Sequence, residues 1–182
     1  MLPGYELPKR TRLICQLLKW STLFLAAVFV CFYFLDDAVD KISDHFWNEL
    51  SDEVQAAVVV STGKTFAIKA LATLGWFSPL LLLLGAWRIF AAFETGDVFS
   101  LRAVKAIRFM GLMIVVEIMF QIFFSSAMIG LMTFDSVEGK RIMELSITTH
   151  QGVTLLLGAL FLIIGQIFTE AVQISDENRQ IV

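Results

Sequence analysis

The stretch LATLGWFSPLLLLLGAWRIF, residues 71–90, contains a single charged residue, Arg88. A hydrocarbon core about 30 Å thick is crossed by about 20 helical residues, so this stretch is long enough to span a bilayer as a helix. Its apolar residues run almost continuously, whereas the strands of a membrane barrel alternate polar and apolar residues. The stretch therefore predicts a transmembrane helix.

Three further apolar stretches, residues 17–35, 109–132 and 153–168, have the same character. The chain is 57% hydrophobic with a mean hydropathy of +0.75, well above the range of soluble globular proteins. The longest remaining segment, residues 36–69, is too short to build an independent core. We expect an all-α, integral membrane four-helix bundle that forms one domain over residues 1–182, with the lipid bilayer as its first partner.

Basic residues are unevenly distributed along the chain. Nine of the 14 Lys and Arg residues lie before or at the start of the first span, around the second connection or in the tail, and the others lie in the first and third connections. Cytoplasmic segments of membrane proteins carry the excess of basic residues. Since four spans place both termini on the same side, we expect both termini in the cytoplasm and the first connection outside.

The first connection is acidic and has a helical pattern. Its apolar residues recur every three or four positions, at Val39, Ile42, Phe46, Leu50, Val54 and Val58. This spacing predicts an extracytoplasmic amphipathic helix that either lies on the membrane surface or caps the bundle. The acidic face either senses external cations or peptides or is simply solvated, and we favour the solvated face. His45 beside acidic residues is a weak indication of a metal, so we predict no metal site.

Pro79 lies in the middle of the second span. Its ring clashes with the carbonyl of Gly75 and it lacks an N–H, so we expect a helix kink at this position. Such a kink can serve as a hinge or a broken-helix binding site. A static feature of the helix shape is the interpretation that we favour.

Glu117 is the sharpest chemical feature, because it lies within the third span with Gln121 one turn later. A carboxyl group in a bilayer is either protonated, paired with a cation such as Arg88, or exposed to a watery cavity. The functional interpretation is a proton or cation relay or a ligand anchor. The structural interpretation, which we favour, is a hydrogen-bonded clamp between helices.

Small residues recur four positions apart, at Ser126 and Gly130 and at Thr154 and Gly158, and Gly165 follows two turns after Gly158. Such faces allow helices to approach closely. We expect them to pack the monomer, and a homo-oligomer formed through one of them is the alternative.

No catalytic motif is present in the sequence: it lacks H-E-x-x-H, G-x-S-x-G and P-loop patterns. Cys15 and Cys31 lie on one predicted helix about 24 Å apart, too far for a disulfide. We therefore predict a protein that is not an enzyme and that uses no cofactor.

The second connection reads FETGDVFSLRAVKAIRFMG, residues 93–111, in which Ser100 is a predicted helix cap. Arg102, Lys105 and Arg108 follow at every third position, a spacing that suits one cationic face toward lipid headgroups. This stretch, with the ending IIGQIFTEAVQISDENRQIV, resembles the bacterial YoaS-like family of small four-span membrane proteins of unknown function. In that family a G-x-x-F-S/T turn and a basic helix join the middle spans.

The resemblance implies a bacterial inner membrane protein whose relatives are often encoded beside small helix-turn-helix regulators. We therefore expect a regulatory protein that binds or sequesters such a regulator in the cytoplasm, without binding nucleic acid itself. Arg102, Lys105, Arg108, Asp176 and Glu177 are the predicted partner-binding residues. The alternative is a small proton- or ion-coupled transporter or channel centred on Glu117.

Overall fold

The computed structural model describes residues 8–35, 37–58, 61–95, 100–134 and 147–180. Within these ranges the chain forms seven α-helices and no strand. The helices are α1 (Lys9–Leu35), α2 (Ala38–Glu49), α3 (Asp52–Ala57), α4 (Thr62–Phe77), α5 (Leu80–Glu94), α6 (Leu101–Thr133) and α7 (Thr149–Gln180). The all-α fold class is as predicted.

Four helical stretches of the described chain are long and apolar enough to cross a membrane: Lys9–Phe34, Thr62–Glu94, Leu101–Thr133 and Thr149–Ile174. The four apolar helices that the sequence predicts are therefore present, and each is able to cross a membrane by its length and composition. Each extends beyond the apolar run that predicted it, because the flanking basic and polar residues continue the helix. Long basic side chains at such ends keep their charged groups in water while their methylene groups cover apolar surface.

The second span is interrupted at Ser78 and Pro79, where the kink is predicted, so that α4 ends at Phe77 and α5 begins at Leu80. Proline has no N–H, so the carbonyl of Gly75 loses its usual donor from four residues later. Ser78 replaces that donor twice. Its backbone N–H lies 3.3 Å from the Gly75 oxygen and its hydroxyl 3.0 Å from the same oxygen.

The described residues group into two compact units. Unit 1 takes its residues from Met1–Ala27, Leu80–Glu117 and Thr149–Val182, and unit 2 from Val28–Pro79 and Ile118–Thr148. Unit 1 therefore contains α5, α7, α1 up to Ala27 and α6 up to Glu117. Unit 2 contains α2, α3, α4 and the remaining parts of α1 and α6.

The core of unit 2 explains the position of α2. Phe46 is buried in one apolar cluster with Ala72 of α4 and Met128 of α6, and its ring centroid lies 5.7 Å from that of Phe124. Asp40 of α2 also forms an ion pair of 2.8 Å with Lys69 of α4. Of the two alternatives for the amphipathic segment, the structure favours packing against the spans.

The amphipathic pattern is divided between two helices rather than continuing through one. After α2 the backbone of Leu50 is extended, and α3 begins at Asp52. The side-chain amide of Gln55 donates hydrogen bonds of 3.0 and 2.9 Å to the carbonyls of Trp47 and Leu50. The Trp47 carbonyl also accepts a 3.2 Å bond from the backbone N–H of Leu50, so the end of α2 is held by both backbone and side-chain donors. The apolar face nevertheless continues, because both Leu50 and Val54 are buried.

Glycines form the crossing of α6 and α7 in unit 1. A Cβ added at Gly111 would lie 2.8 Å from the backbone nitrogen of Leu162 and 2.9 Å from the oxygen of Gly158. A Cβ at Gly158 would lie 3.0 Å from side-chain atoms of Ile114 and Val115. Only glycine permits so close an approach of two helices. The predicted small-residue face at Gly158 therefore packs the chain against itself.

Candidate functional site

The predicted basic helix is the first part of α6, and it packs closely against the end of α5 in unit 1. Ala92 of α5 and Ala103 and Ala106 of α6 form a buried cluster, with Ile89 and Phe93 packed against it. Alanine side chains are short, so the two helices approach closely along this line. The longer side chains on either side are held at the edges of the contact.

Ser100 begins α6 as the sequence predicts. Its hydroxyl oxygen accepts a hydrogen bond of 3.2 Å from the backbone N–H of Ala103. This bond satisfies one of the donors that the first turn of a helix leaves over. The cap therefore fixes where the helix starts, and with it the positions of the basic residues that follow.

A cavity of about 730 Å³ lies between these two helices. It is lined by Trp87, Arg88, Ala91, Ala92, Arg102, Lys105, Ala106 and Phe109. Three of these side chains are cationic, and the described lining contains no carboxylate. We call this space the basic cavity. Its walls bring together Arg88 from one helix and Arg102 and Lys105 from the next.

The cations of the basic cavity are not neutralised within the described part of the chain. There, neither Arg88, Arg102 nor Lys105 forms an ion pair with a carboxylate. The Arg88 guanidinium instead lies 4.3 Å from the centroid of the Phe109 ring, a cation–π contact. Glu94, the acid at the end of α5, binds Lys19 of α1.

The structure brings together two of the three basic residues that the sequence places on one face. Arg102 and Lys105 line the basic cavity, whereas Arg108 does not. Arg108 lies against α7, where a Cβ added at Gly165 would overlap its side chain. Sequence reasoning assigned neither Trp87 nor Arg88 to this site. The sequence nevertheless contains an indication of their role. The second and third spans are joined by a short connection, so the end of one helix is expected beside the start of the next.

Asp176 and Glu177, the predicted acidic partner-binding residues, lie on α7, which extends to Gln180. The side chains of residues 175–180 lie outside the described part of the structure. The predicted pairing of these acids with α6 therefore stays a prediction.

Glu117 is the middle residue of the 33-residue helix α6 and its side chain is 1% exposed. Ile114 and Ile118 beside it on the helix are buried as well, while Gln121 one turn later is half-buried. A carboxyl group at this depth is shielded from acyl chains by protein, as expected for polar groups inside membranes. Both interpretations of Glu117, relay and clamp, require such burial.

Metal binding finds no support among the described residues. They contain no group of three His, Cys, Asp or Glu side chains that could hold an ion. His45 lies 3.4 Å from Glu49 on the exposed face of α2.

Comparisons with protein-family models, with curated proteins and with solved structures find no match to this chain. The family resemblance accordingly stays a prediction from the sequence.

Proposed function

We propose that this chain is a non-enzymatic regulatory membrane protein that binds a cytoplasmic protein partner on the basic surface of α6. This surface, the α6 basic surface, consists of Arg102, Lys105 and Arg108. The observation that carries the proposal is their exposure without an ion pair in the described part of the chain. Charges held in this way attract an acidic partner and orient its approach.

The proposal includes the bacterial inner membrane as the location, with both termini in the cytoplasm. The distribution of basic residues supports this orientation. The ion pair of Lys19 with Glu94 agrees with it, since it joins the first part of α1 to the end of α5, two segments assigned to the same side. In this orientation α2 and α3 lie on the outer side.

The partner that we propose is a small helix-turn-helix regulator, as the family resemblance implies. Such a regulator reads DNA with a basic face, so it would bind the α6 basic surface through acidic residues elsewhere on its surface. Asp176 and Glu177 of the tail would then contact its basic residues. Binding of this kind sequesters the regulator from DNA without contact between this chain and nucleic acid.

Co-purification tests the proposal directly. The full chain, tagged and extracted from native membranes in mild detergent, is expected to retain a helix-turn-helix protein that mass spectrometry identifies. The triple substitution Arg102→Glu, Lys105→Glu and Arg108→Glu is expected to release it, because it replaces attraction with repulsion. The matched control is Lys9→Glu with Arg10→Glu, two exposed basic residues of α1, which is expected to retain the partner.

Two outcomes would contradict the proposal. One is the absence of any such regulator from the wild-type preparation. The other is equal recovery with the α6 variant and with the α1 control, which would place the contact elsewhere on the chain.

A second candidate function is proton- or ion-coupled transport through Glu117, and the position of its carboxyl group at the middle of an apolar 33-residue helix motivates it. Reconstituted liposomes with a pH-sensitive dye would show flux that Glu117→Gln abolishes. Ser125→Ala on the same helix is the control and is expected to preserve flux. Flux equal to that of protein-free vesicles, across protons and alkali cations, would exclude the transport hypothesis.

A further inference from the structure

We propose that the basic cavity binds the phosphate group of an acidic phospholipid, whose acyl chain lies in a neighbouring apolar groove. This inference goes beyond the binding of a protein partner, because its ligand is a lipid and its residues include Arg88 and Trp87. All the contacts that carry it lie within unit 1.

The first argument is charge. Arg88, Arg102 and Lys105 belong to two helices that are held together by the alanine contact, so the three cations are gathered by the fold itself. Like charges so gathered repel one another, and the described lining offers no acid to offset the repulsion. A phosphate group would neutralise them. Arginine binds phosphate oxygens in pairs, and lysine binds them as a point charge.

The second argument is an unused donor. Trp87 lines the cavity, and its buried indole N–H meets no acceptor in the described part of the chain. Buried donors in folded proteins nearly always have a partner, supplied by protein, water or ligand. The nitrogen is closed to a water-sized probe, so a phosphate oxygen reaches this N–H only when the indole turns in the wall of the cavity.

The third argument distinguishes a lipid from free phosphate. Trp87 also lines a second space, an apolar groove of about 490 Å³. Its other lining residues are Thr22, Leu23, Ala26, Leu80, Leu81, Leu83 and Leu84. A charged cavity and an apolar groove thus share one side chain. A phospholipid has the same two parts joined together, a phosphate and an acyl chain, whereas inorganic phosphate would use the cavity alone.

The test measures lipid binding to the full chain by native mass spectrometry from a neutral detergent, with phosphatidylglycerol, phosphatidylcholine and inorganic phosphate as separate probes. Phosphatidylglycerol is expected to bind tightest. Arg102→Gln with Lys105→Gln is expected to weaken it about tenfold or more, since hydrogen bonds to charged groups are lost. Lys9→Gln with Arg10→Gln removes the same charge from exposed positions of α1 and is expected to leave binding unchanged.

Ala26→Phe separates the two sources of phosphate, because it fills the groove and leaves the basic cavity intact. It is expected to weaken the binding of phosphatidylglycerol and to leave the binding of inorganic phosphate unchanged. Equal binding of phosphatidylglycerol with and without this substitution would overturn the lipid assignment. Equal weakening by the α6 and α1 double variants would overturn the phosphate site.

A measurement on the unsubstituted chain keeps the test independent of variant folding. The indole N–H resonance of Trp87, assigned by its loss in Trp87→Phe, is expected to shift on addition of phosphatidylglycerol while that of Trp20 does not. A Trp87 resonance that stays in place at saturating lipid would overturn the proposal. Arg88→Gln is expected to weaken lipid binding and to leave binding of the protein partner unchanged. Arg108→Glu is expected to weaken binding of the protein partner and to leave lipid binding unchanged. The two proposals can therefore fail separately.

Discussion

Lys19 of α1 and Glu94 of α5 form an ion pair in which the side chains are only 19% and 30% exposed. The Lys19 ammonium also lies 5.6 Å from the ring centroid of Trp20. Most large apolar side chains in the first part of α1 are exposed, among them Leu13, Leu17 and Phe24. Because Glu94 is the last residue of α5, the pair joins α1 to the end of that helix.

We predict that Lys19 and Glu94 are energetically coupled. Lys19→Gln and Glu94→Gln should each destabilise the chain, and the double variant should lose less than their sum, with a coupling of about 1 kcal/mol. Unfolding by denaturant in detergent micelles measures all three. Strictly additive effects would show that the pair contributes no net stability.

The glycine crossing of α6 and α7 gives a second prediction. Gly111→Ala should destabilise the chain by about 1–3 kcal/mol, because the new methyl group meets backbone atoms that cannot move aside. Gly152→Ala is the control: nothing lies within 4 Å of its added Cβ, so the higher helix propensity of alanine should leave stability unchanged or raise it by up to about 1 kcal/mol. Thermal unfolding in detergent compares the two, and similar losses from both would refute the crossing.

The packing of α2 gives a third prediction. Phe46→Ala should cost about 3 kcal/mol, because it empties the centre of the unit 2 core. In this variant the amide hydrogen exchange rates should rise throughout α2, and they should rise less in α6. Asn48→Ala, on the exposed face of the same helix, should leave exchange as it is. If α2 exchanges quickly already in the wild type, its packing against the spans is wrong.

The orientation can be tested with single cysteines in a background that lacks Cys15 and Cys31. In intact cells a membrane-impermeant maleimide should label Asn48→Cys on α2 and should leave Thr95→Cys, after α5, unlabelled until the cells are opened. Both positions are exposed in the structure. The reversed pattern would place the termini outside and would remove the basis for a cytoplasmic partner.

Hydropathy was sufficient to predict the four spans, because lipid requires continuous apolar helices whatever their neighbours are. It did not predict where the helices end: α6 begins at Leu101, eight residues before its apolar run, since Ser100 caps it there. Nor did periodicity reveal the division between α2 and α3. The side-chain bonds of Gln55 bridge that division, and apolar spacing does not report such bonds.

The site was predictable only in part, for a geometric reason. Residues three apart on a helix are about 60° apart around its axis, so Arg108 lies about 120° from Arg102. Equal spacing therefore placed Lys105, but not Arg108, beside the cavity that Arg102 lines. Arg88 belongs to another helix, and no pattern within α6 could identify it. Contacts between helices are the information that hydropathy lacks.

The position of Glu117 has a consequence for biogenesis. An isolated α6 leaving the insertion machinery would present a carboxyl group to the acyl chains at mid-membrane, at a cost of about 2.5–3.5 kcal/mol on insertion scales if charged. In the folded chain the same group is covered by protein. We therefore expect α6 to pack against earlier helices while it is still beside the translocon. Release of α6 alone into the bilayer, followed by assembly, is the less favourable route.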